Sequence, residues 1–291
     1  MKDINISKDL FTQLKKDKQL VLSILSVYDD VINTVDSNKT LISFLNQGKR
    51  LVPMGILIKD KVKFQRLKKY ITLTIGFTDQ SVIRLNAGVD VSDLYLYSRP
   101  QNINKVISAN AVLLEFLQRN APVDSFYPII HSLITDDAMN CTNSWDNNAK
   151  EIMIPKLKKY LQALSQDGCI DNNLNVLGYG KGLTPSSDDF VLGISAVFQY
   201  VGDLRLNAVK NHGEKLLDTT TFISSQMLKN AWHGQYNLFL HQLFQAIEED
   251  NLCEEILLDV ISYGHTSGVD TLCGIVMGIE IIKKDLALGT V

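Results

Sequence analysis

Residues 178–190, GYGKGLTPSSDDF, bring together residue types suited to three kinds of chemistry. Glycines alternate with Tyr179 and Lys181, a Thr-Pro pair follows, and the adjacent carboxylates of Asp188 and Asp189 come near the end. The stretch fits a glycine-rich loop that binds an anion, an acidic turn that binds a metal ion, or the start of a helix. The apolar residues that follow favour a helix start.

The stretch SSDDFVLGISAVFQYV has the length and apolar spacing of a buried helix. Thr184 before Pro185 is a good start for it, since proline at the first helical position loses no needed donor and threonine can cap the free amides. Ser186 as the cap, with Asp189 three residues later, is the alternative. Because a helix start combines unpaired N–H groups with the positive end of the helix dipole, it suits phosphate or carboxylate. Lys181 either neutralises this anion or is a solvated loop lysine.

The loop does not match the nucleotide-binding fingerprints. GYGKGLTP has neither the Gly-Lys-Ser/Thr ending of a P-loop nor the G-x-G-x-x-G spacing of a dinucleotide-binding fold. Asp188 and Asp189 could hold Mg²⁺, because hard cations prefer oxygen ligands. Helix caps are commoner, and no second acidic cluster completes a metal site. We therefore assign no metal ligands and keep Mg²⁺ as an alternative cofactor.

A second stretch, GHTSGVDTLCGIVMG at residues 264–278, repeats the ending of the first with the shared pattern S-x-x-D-x-x-x-G-I. The alignment pairs three residues with three others: Gly193 with Gly274, Ser186 with Ser267, and Asp189 with Asp270. Glycine inside a helix costs about 1 kcal/mol relative to alanine, so glycine at both positions predicts a close crossing of two helices. We expect the crossing to bring both helix starts, with Lys181 and His265, around one anion. Two unrelated capped helices are the alternative.

The segment between these stretches, TTTFISSQMLKNAWHGQY at residues 219–236, also predicts a capped helix. Thr219 or Thr220 is the expected cap. A ligand contact by Ser224 and Ser225 is the less favoured interpretation. The sequence contains no H-E-x-x-H zinc motif and no G-x-S-x-G elbow, so it gives no support for a zinc protease or a serine hydrolase.

The chain changes character near residue 100. Six β-rich runs precede it: SVYDDVINTV, LISFLN, RLVPMGILI, YITLTIGFT, SVIRLNA and DLYLYS. After a linker at residues 99–105, VISANAVLLEFLQRN, EIMIPKLKKYLQALSQ and FISSQMLKNAW show helical spacing. We predict the α+β class, with a small amino-terminal β-rich domain at residues 1–102 and a mostly α-helical carboxy-terminal domain at residues 103–291 that carries the glycine-rich loop.

The composition is that of an ordinary globular protein, with 291 residues, 45% hydrophobic and 21% charged. A net charge of −3 offers no general attraction for nucleic acid or anionic lipid, so any anion site must be local. The charged amino terminus and the lack of a long apolar run predict a cytoplasmic protein without a membrane segment. Cys141, Cys169, Cys253 and Cys273 form no C-x-x-C pair, which predicts reduced thiols with packing roles.

The motifs resemble the signatures of the AllH-like family, long catalogued as a domain of unknown function. GYGKGLTPSSDDFVLG, TTTFISSQMLKNAWHG and GHTSGVDTLCGIVMG agree with them in order and separation. The first block of the family usually reads G-x-G-x-G-L-T-P-S-G-D-D-x-L-x-G. Here Ser187 stands in place of the glycine, and Val191 stands where leucine is usual, with Leu192 one place later. We expect Ser187 to narrow the site or change its substrate. SVYDDVINTV and LISFLNQGKRLVPMGILI are similar to the family's amino-terminal β-region.

The resemblance implies a role in anaerobic allantoin breakdown, a branch of purine catabolism. The named member of the family is one of three different subunits of oxamate carbamoyltransferase, which converts oxalurate and phosphate into oxamate and carbamoyl phosphate. We therefore expect a carbamoyltransferase subunit that acts on a small ureido or oxo acid, with other enzyme subunits as partners. A non-catalytic anion-binding or scaffolding subunit and a stand-alone enzyme are the alternatives.

Each candidate residue then has an expected role. His265 is the candidate for proton transfer or substrate orientation, since a helix start favours its neutral imidazole, and Lys181 is the second catalytic candidate. The glycines shape the loop, Lys181 and Thr184 bind the anion, and the Ser-Asp pairs hold the helix starts. The residues expected to bind anion or substrate are Gly178, Gly180, Lys181, Gly182, Thr184, Ser186, Ser187, Asp188, Asp189, Thr266, Ser267, Gly268 and Asp270.

Overall fold

The protein consists of two compact units in its computed structural model, which describes residues 3–85, 89–135, 147–166 and 168–288. One unit contains Met1–Tyr95 and Gln235–His241, and the other contains Leu96–Gly234 and Gln242–Val291. Strands come first and helices follow, which confirms the predicted α+β class. The domain limits at residues 102 and 103 stay a prediction.

The first unit is built around a single sheet of eight strands. They are β1 Ile4–Ser7, β2 Gln19–Val27, β3 Val31–Val35, β4 Leu41–Asn46, β5 Gly55–Ile58, β6 Thr72–Gly76, β7 Ile83–Arg84 and β8 Asp90–Ser92. They lie in the order β7-β6-β2-β3-β4-β5-β1-β8. The pairs β4–β5, β1–β8 and β6–β7 are parallel, and the remaining neighbours are antiparallel.

Two short helices, which the sequence analysis did not predict, complete the core of this unit. Alternation along the strands turns residues such as Leu22, Ile32 and Phe44 toward one face of the sheet. Helices α1 (Lys8–Asp17) and α2 (Lys61–Leu67) bury leucine and phenylalanine side chains in the same cluster: Leu10, Leu14, Phe64 and Leu67. The strand predicted over DLYLYS is wrong, because β8 ends at Ser92 and Tyr95 forms only an isolated bridge with Gln235.

After residue 102 the described part of the chain is mostly helical. Its helices are α3 Ile103–Asn120, α4 Tyr127–Thr135, α5 Asn147–Gln166, α6 Ser186–Val201, α7 Arg205–Gly213, α8 Phe222–Trp232, α9 Leu238–Glu248, α10 Glu254–Ile261 and α11 Ser267–Leu288. The segment predicted as a linker contains a 3₁₀ turn, Pro100–Asn102, that leads directly into α3. Asn102 is buried there and donates a hydrogen bond of 2.9 Å to the Tyr200 hydroxyl.

Helices α6 and α11 form the centre of the second unit. Every residue of α6 except Gln199 is buried, as expected of a helix surrounded by others. Helix α11 packs along α6 and also contacts α3, α4, α5 and α10. No helix in the described part of the chain is both long and apolar enough to cross a lipid bilayer.

The cysteines divide by exposure. Cys273 is buried within α11, in agreement with the predicted packing role. Cys169 and Cys253 are exposed, so a packing role is wrong for these two. Cys141 lies outside the described residues.

Candidate functional site

Helices α6 and α11 cross at Gly193 and Gly274, as the repeated glycines predict. A Cβ atom on Gly193 would lie 2.1 Å from the Thr271 carbonyl oxygen, and one on Gly274 would lie 2.0 Å from the Phe190 carbonyl oxygen. No side chain fits at such distances, so only glycine permits this approach. One turn later Gly278 lies against Val197, which shows that the two helices run in the same direction.

The crossing brings the two helix starts together. The hydroxyl groups of Thr184 and Ser267 lie 2.9 Å apart, although 83 residues separate them in the chain. Each serine acts on the aspartate of the other helix. Ser267 lowers the pKa of Asp189, and Ser186 lowers the pKa of Asp270, so each favours the ionised form of that carboxyl group.

A third helix start also reaches Asp270. The amide of Phe126, just before α4, donates a hydrogen bond of 2.6 Å to Asp270 Oδ1. Asp270 is fully buried, and this burial raises its pKa to about 6, while hydrogen bonds from Phe126, Ser186 and Thr266 act in the opposite direction. Burial, together with the negative charge of Asp270, raises the pKa of Asp189 well above its ordinary value.

The two predicted caps of α6 are wrong. The helix begins at Ser186, the flanking residue is Pro185, and no side chain caps the first amides. The amides of Asp188 and Asp189 instead donate to the Pro185 carbonyl oxygen. For α8 the cap is Thr221, whose hydroxyl accepts from the Ser224 amide at 3.1 Å, and not Thr219 or Thr220.

Asp188 ties the glycine loop to two helices. Its Oδ1 accepts the Gly178 amide at 2.7 Å, and its Oδ2 accepts the Ser224 hydroxyl at 2.6 Å and the Thr220 hydroxyl. Burial raises the pKa of Asp188, and these hydrogen bonds act in the opposite direction. Since both oxygens already accept from the protein, Mg²⁺ bound by Asp188 would have to replace these donors. In the described ranges, no three His, Cys, Asp or Glu residues are grouped to hold a metal ion.

Ser187, the departure from the family pattern, lies inside the structure. Its side chain is fully buried, its hydroxyl accepts the Tyr179 amide at 2.9 Å, and its own amide donates to the Tyr179 carbonyl at 2.9 Å. The serine therefore closes the base of the loop and does not project from its tip. Tyr179 is fixed further by Lys156, whose Nζ donates to the Tyr179 hydroxyl at 2.8 Å.

The tip of the loop is exposed. Gly180, Lys181 and Gly182 are solvent-accessible, and both glycines have positive φ angles, +129° and +92°. A Cβ atom on Gly180 would lie 2.4 Å from the Ser186 nitrogen, whereas Gly182 faces open space. Contact with the start of α6 therefore excludes a side chain at Gly180 but not at Gly182.

The second stretch contributes one exposed titratable side chain, His265. Its Nε2 lies 3.0 Å from Asp124 Oδ2, and 83% of the side chain is exposed. Thr266 is half-buried, and its carbonyl accepts the Asp270 amide at 2.8 Å. Gly268 packs against α10, where a Cβ atom would lie 2.1 Å from the Val260 carbonyl oxygen.

Several partners of these residues were not predicted from the sequence. Asp124, Phe126 and Thr220 reach the site from segments 141, 144 and 32 residues away from their partners along the chain. No local spacing connects Asp124 with His265 or Phe126 with Asp270. The run of threonines before α8 was the single usable signal. It predicted a helix cap and gave no indication that Thr220 contacts Asp188.

The comparison with protein families agrees with the motifs. Residues 176–279 match the family model described as oxamate carbamoyltransferase subunit AllH, which confirms the resemblance over this part of the chain. The match includes the glycine loop, α8 and both crossing helices, and it does not extend to the amino-terminal strands. No solved structure matches the chain. The description of the family names a subunit of a carbamoyltransferase, which is an enzyme with further subunits.

Proposed function

We propose that this chain is a subunit of a carbamoyltransferase-type enzyme that acts on a small ureido or oxo acid, with oxalurate and phosphate giving oxamate and carbamoyl phosphate. The observation that carries the proposal is the match of residues 176–279 to the AllH family model, because it covers both helix starts and the loop between α5 and α6. Proteins of this description work with other subunits, so we expect the reaction to need partner chains. We expect the enzyme to act in the cytoplasm.

The exposed loop tip supports a role in anion binding. The amides of Gly180, Lys181 and Gly182 donate to no acceptor in the described residues, and the Lys181 side chain is exposed beside them. Successive unpaired N–H groups on a backbone of alternating conformation make a concave site for an anion. Phosphate or the ureido-acid carboxylate would bind these amides and the ammonium group of Lys181. Thr184 lies at the end of the same loop.

His265 is the group in the second stretch that we propose for proton transfer or substrate orientation. His265 is exposed, and its Nε2 lies 3.0 Å from Asp124 Oδ2. This contact orients the ring. The contact between Thr184 and Ser267 places the end of the glycine loop beside the start of α11, two residues after His265. A substrate on the loop would therefore lie near the segment that carries His265.

Calorimetric titration of the full-length chain with phosphate, carbamoyl phosphate, oxamate and oxalurate tests the loop. A hydrogen bond to a charged group contributes about 1.5–3 kcal/mol, so Lys181→Ala should weaken the binding of phosphate or carbamoyl phosphate by roughly tenfold or more. Lys158→Ala, an exposed lysine on α5, is the matched control and should leave Kd unchanged. Equal Kd values for the two lysine variants, or no binding of any of these anions, would exclude the loop as the anion site.

A non-catalytic subunit is the second candidate, and burial favours it. Asp188, Asp189 and Asp270 are at most 3% exposed, so no carboxylate of the two motifs reaches a ligand at the surface. The assay is turnover of the assembled enzyme with Lys181→Ala and His265→Asn. A lower kcat with intact assembly supports a catalytic subunit, whereas unchanged kcat for both variants supports a scaffold.

A further inference from the structure

Two buried carboxylate oxygens at the crossing of α6 and α11 have no partner. The Oδ2 atoms of Asp189 and Asp270 accept no hydrogen bond from any residue that the structure describes, and the two residues are 3% and 0% exposed. An ionised oxygen removed from water without a partner is costly, and the protein contains two of them in one place. Something other than a side chain must therefore satisfy these oxygens.

The geometry of the crossing brings the two aspartates close to each other. Each lies one turn before the glycine at which the backbones of the helices touch, and both helices run in the same direction. The serine of the other helix lowers the pKa of each aspartate, and the negative charge of Asp270 raises the pKa of Asp189. The two carboxylates thus share one desolvated space.

The groups around this space supply less positive charge than the two carboxylates carry when both are ionised. The starts of α4, α6 and α11 each supply the equivalent of about half a positive charge, roughly 1.5 together, against two carboxylates. The titratable groups that act on the pair add no positive charge: Asp188 on α6, Asp124 before α4, and Cys273 on α11. Neither aspartate forms an ion pair with a lysine or arginine of the described ranges.

We propose that Asp189 and Asp270 hold one proton between them at mildly acidic pH, on their unpartnered oxygens, and that this proton belongs to the packing of α6 against α11. A carboxyl group that shares a proton with a carboxylate replaces two orphan acceptors with one hydrogen bond. The pair also carries one negative charge instead of two, which the three helix starts are sufficient to offset. This inference does not depend on the proposed function.

The proton makes the stability of the second unit dependent on pH. Burial raises the pKa of Asp270 in the folded protein to about 6, above the ordinary value of 3.8. A group whose pKa is raised by folding contributes fully below its unfolded pKa, and this contribution is lost as the pH rises through the folded pKa. From pH 5 to pH 8, a shift of this size lowers the ratio of folded to unfolded protein roughly tenfold.

Urea unfolding of the full-length chain from pH 5 to pH 8 tests the proposal. The variants are Asp270→Asn and Asp189→Asn, with Asp218→Asn as the matched control at an exposed aspartate. An asparagine amide supplies the missing hydrogen-bond donor and does not titrate. The ratio of folded to unfolded protein should therefore fall tenfold from pH 5 to pH 8 in the wild type and the control, and should not fall in either buried variant. Buried variants that follow the wild type over the whole range would overturn the proposal.

Infrared spectroscopy of the wild type gives a second measurement, which does not require the variants to fold. A carboxyl C=O band should titrate away near pH 6, above the range of ordinary carboxyl groups, and should be gone at pH 8. The absence of a band with this titration would overturn the proposal. So would a stability at pH 5 that a chelator or dialysis lowers and added K⁺ or Mg²⁺ restores, because a cation would then occupy the place assigned to the proton.

Discussion

Replacing Gly274 with alanine tests the helix crossing on which the site depends. The new Cβ atom would lie 2.0 Å from the Phe190 carbonyl oxygen and 3.0 Å from Gly193 Cα, both backbone atoms that no rotamer change can move. Ordinary contacts need about 3.4 Å or more, so the helices must separate by roughly 1 Å. Overpacking costs typically about 1–3 kcal/mol, and a backbone collision belongs at the upper end. Alanine returns about 1 kcal/mol through helix propensity, which leaves a net loss of about 2 kcal/mol.

Gly278→Ala is the matched control on the same helix. Its Cβ atom would meet a side-chain atom, Val197 Cβ, at 3.3 Å, and the small adjustment is offset by the same gain in propensity. Thermal and urea unfolding of both variants would measure the difference. For a protein of this size 2 kcal/mol lowers Tm by roughly 4–8 °C, so Gly274→Ala should melt that much below wild type and Gly278→Ala close to it. Equal melting temperatures for the two variants would refute the close crossing.

Two further predictions concern the loop and the start of α8. Asp188→Ala removes an acceptor from the Gly178 amide and from the buried Ser224 hydroxyl, so we expect a loss of about 2–4 kcal/mol and faster hydrogen exchange at residues 178–184 by mass spectrometry. Unchanged exchange would show that the loop is held by other contacts. Thr221→Ala should lower the free energy of unfolding by about 1 kcal/mol, because Thr221 caps α8. Thr219→Ala should lower it by less. A larger loss for Thr219→Ala than for Thr221→Ala would instead support the cap predicted from the sequence.

The spacing of apolar residues was sufficient to locate helices whose positions depend only on their own sequence. The apolar stretches that predict α6 and α8, residues 186–201 and 222–232, coincide with the two helices, although the caps predicted for both are wrong. The crossing was also predictable, since the cost of glycine in a helix makes Gly193 and Gly274 stand out. The AllH resemblance followed from the same short stretches.

Contacts between distant segments could not be predicted in this way. The effect of each serine on the aspartate of the other helix depends on two helices meeting in a particular rotation, and neither sequence stretch encodes the other's position. Asp124 beside His265 is a contact over 141 residues. The strand order of the sheet, with its parallel neighbours, depends on the same kind of long-range pairing. Helix α1 was missed because its charged residues obscure the two buried leucines, Leu10 and Leu14.

The buried aspartates limit where an anion can bind. A helix start attracts anions through its free N–H groups and its dipole, and at α6 and α11 the carboxylates of Asp189 and Asp270 already occupy the first turns. An anion placed between these helix starts would gain little from the dipoles and would be repelled by the pair. Under the proposed function, the affinity for phosphate must therefore come from the exposed tip of the loop, through its unpaired amides and Lys181. The crossing then serves to hold that tip and the segment of His265 in a fixed relation.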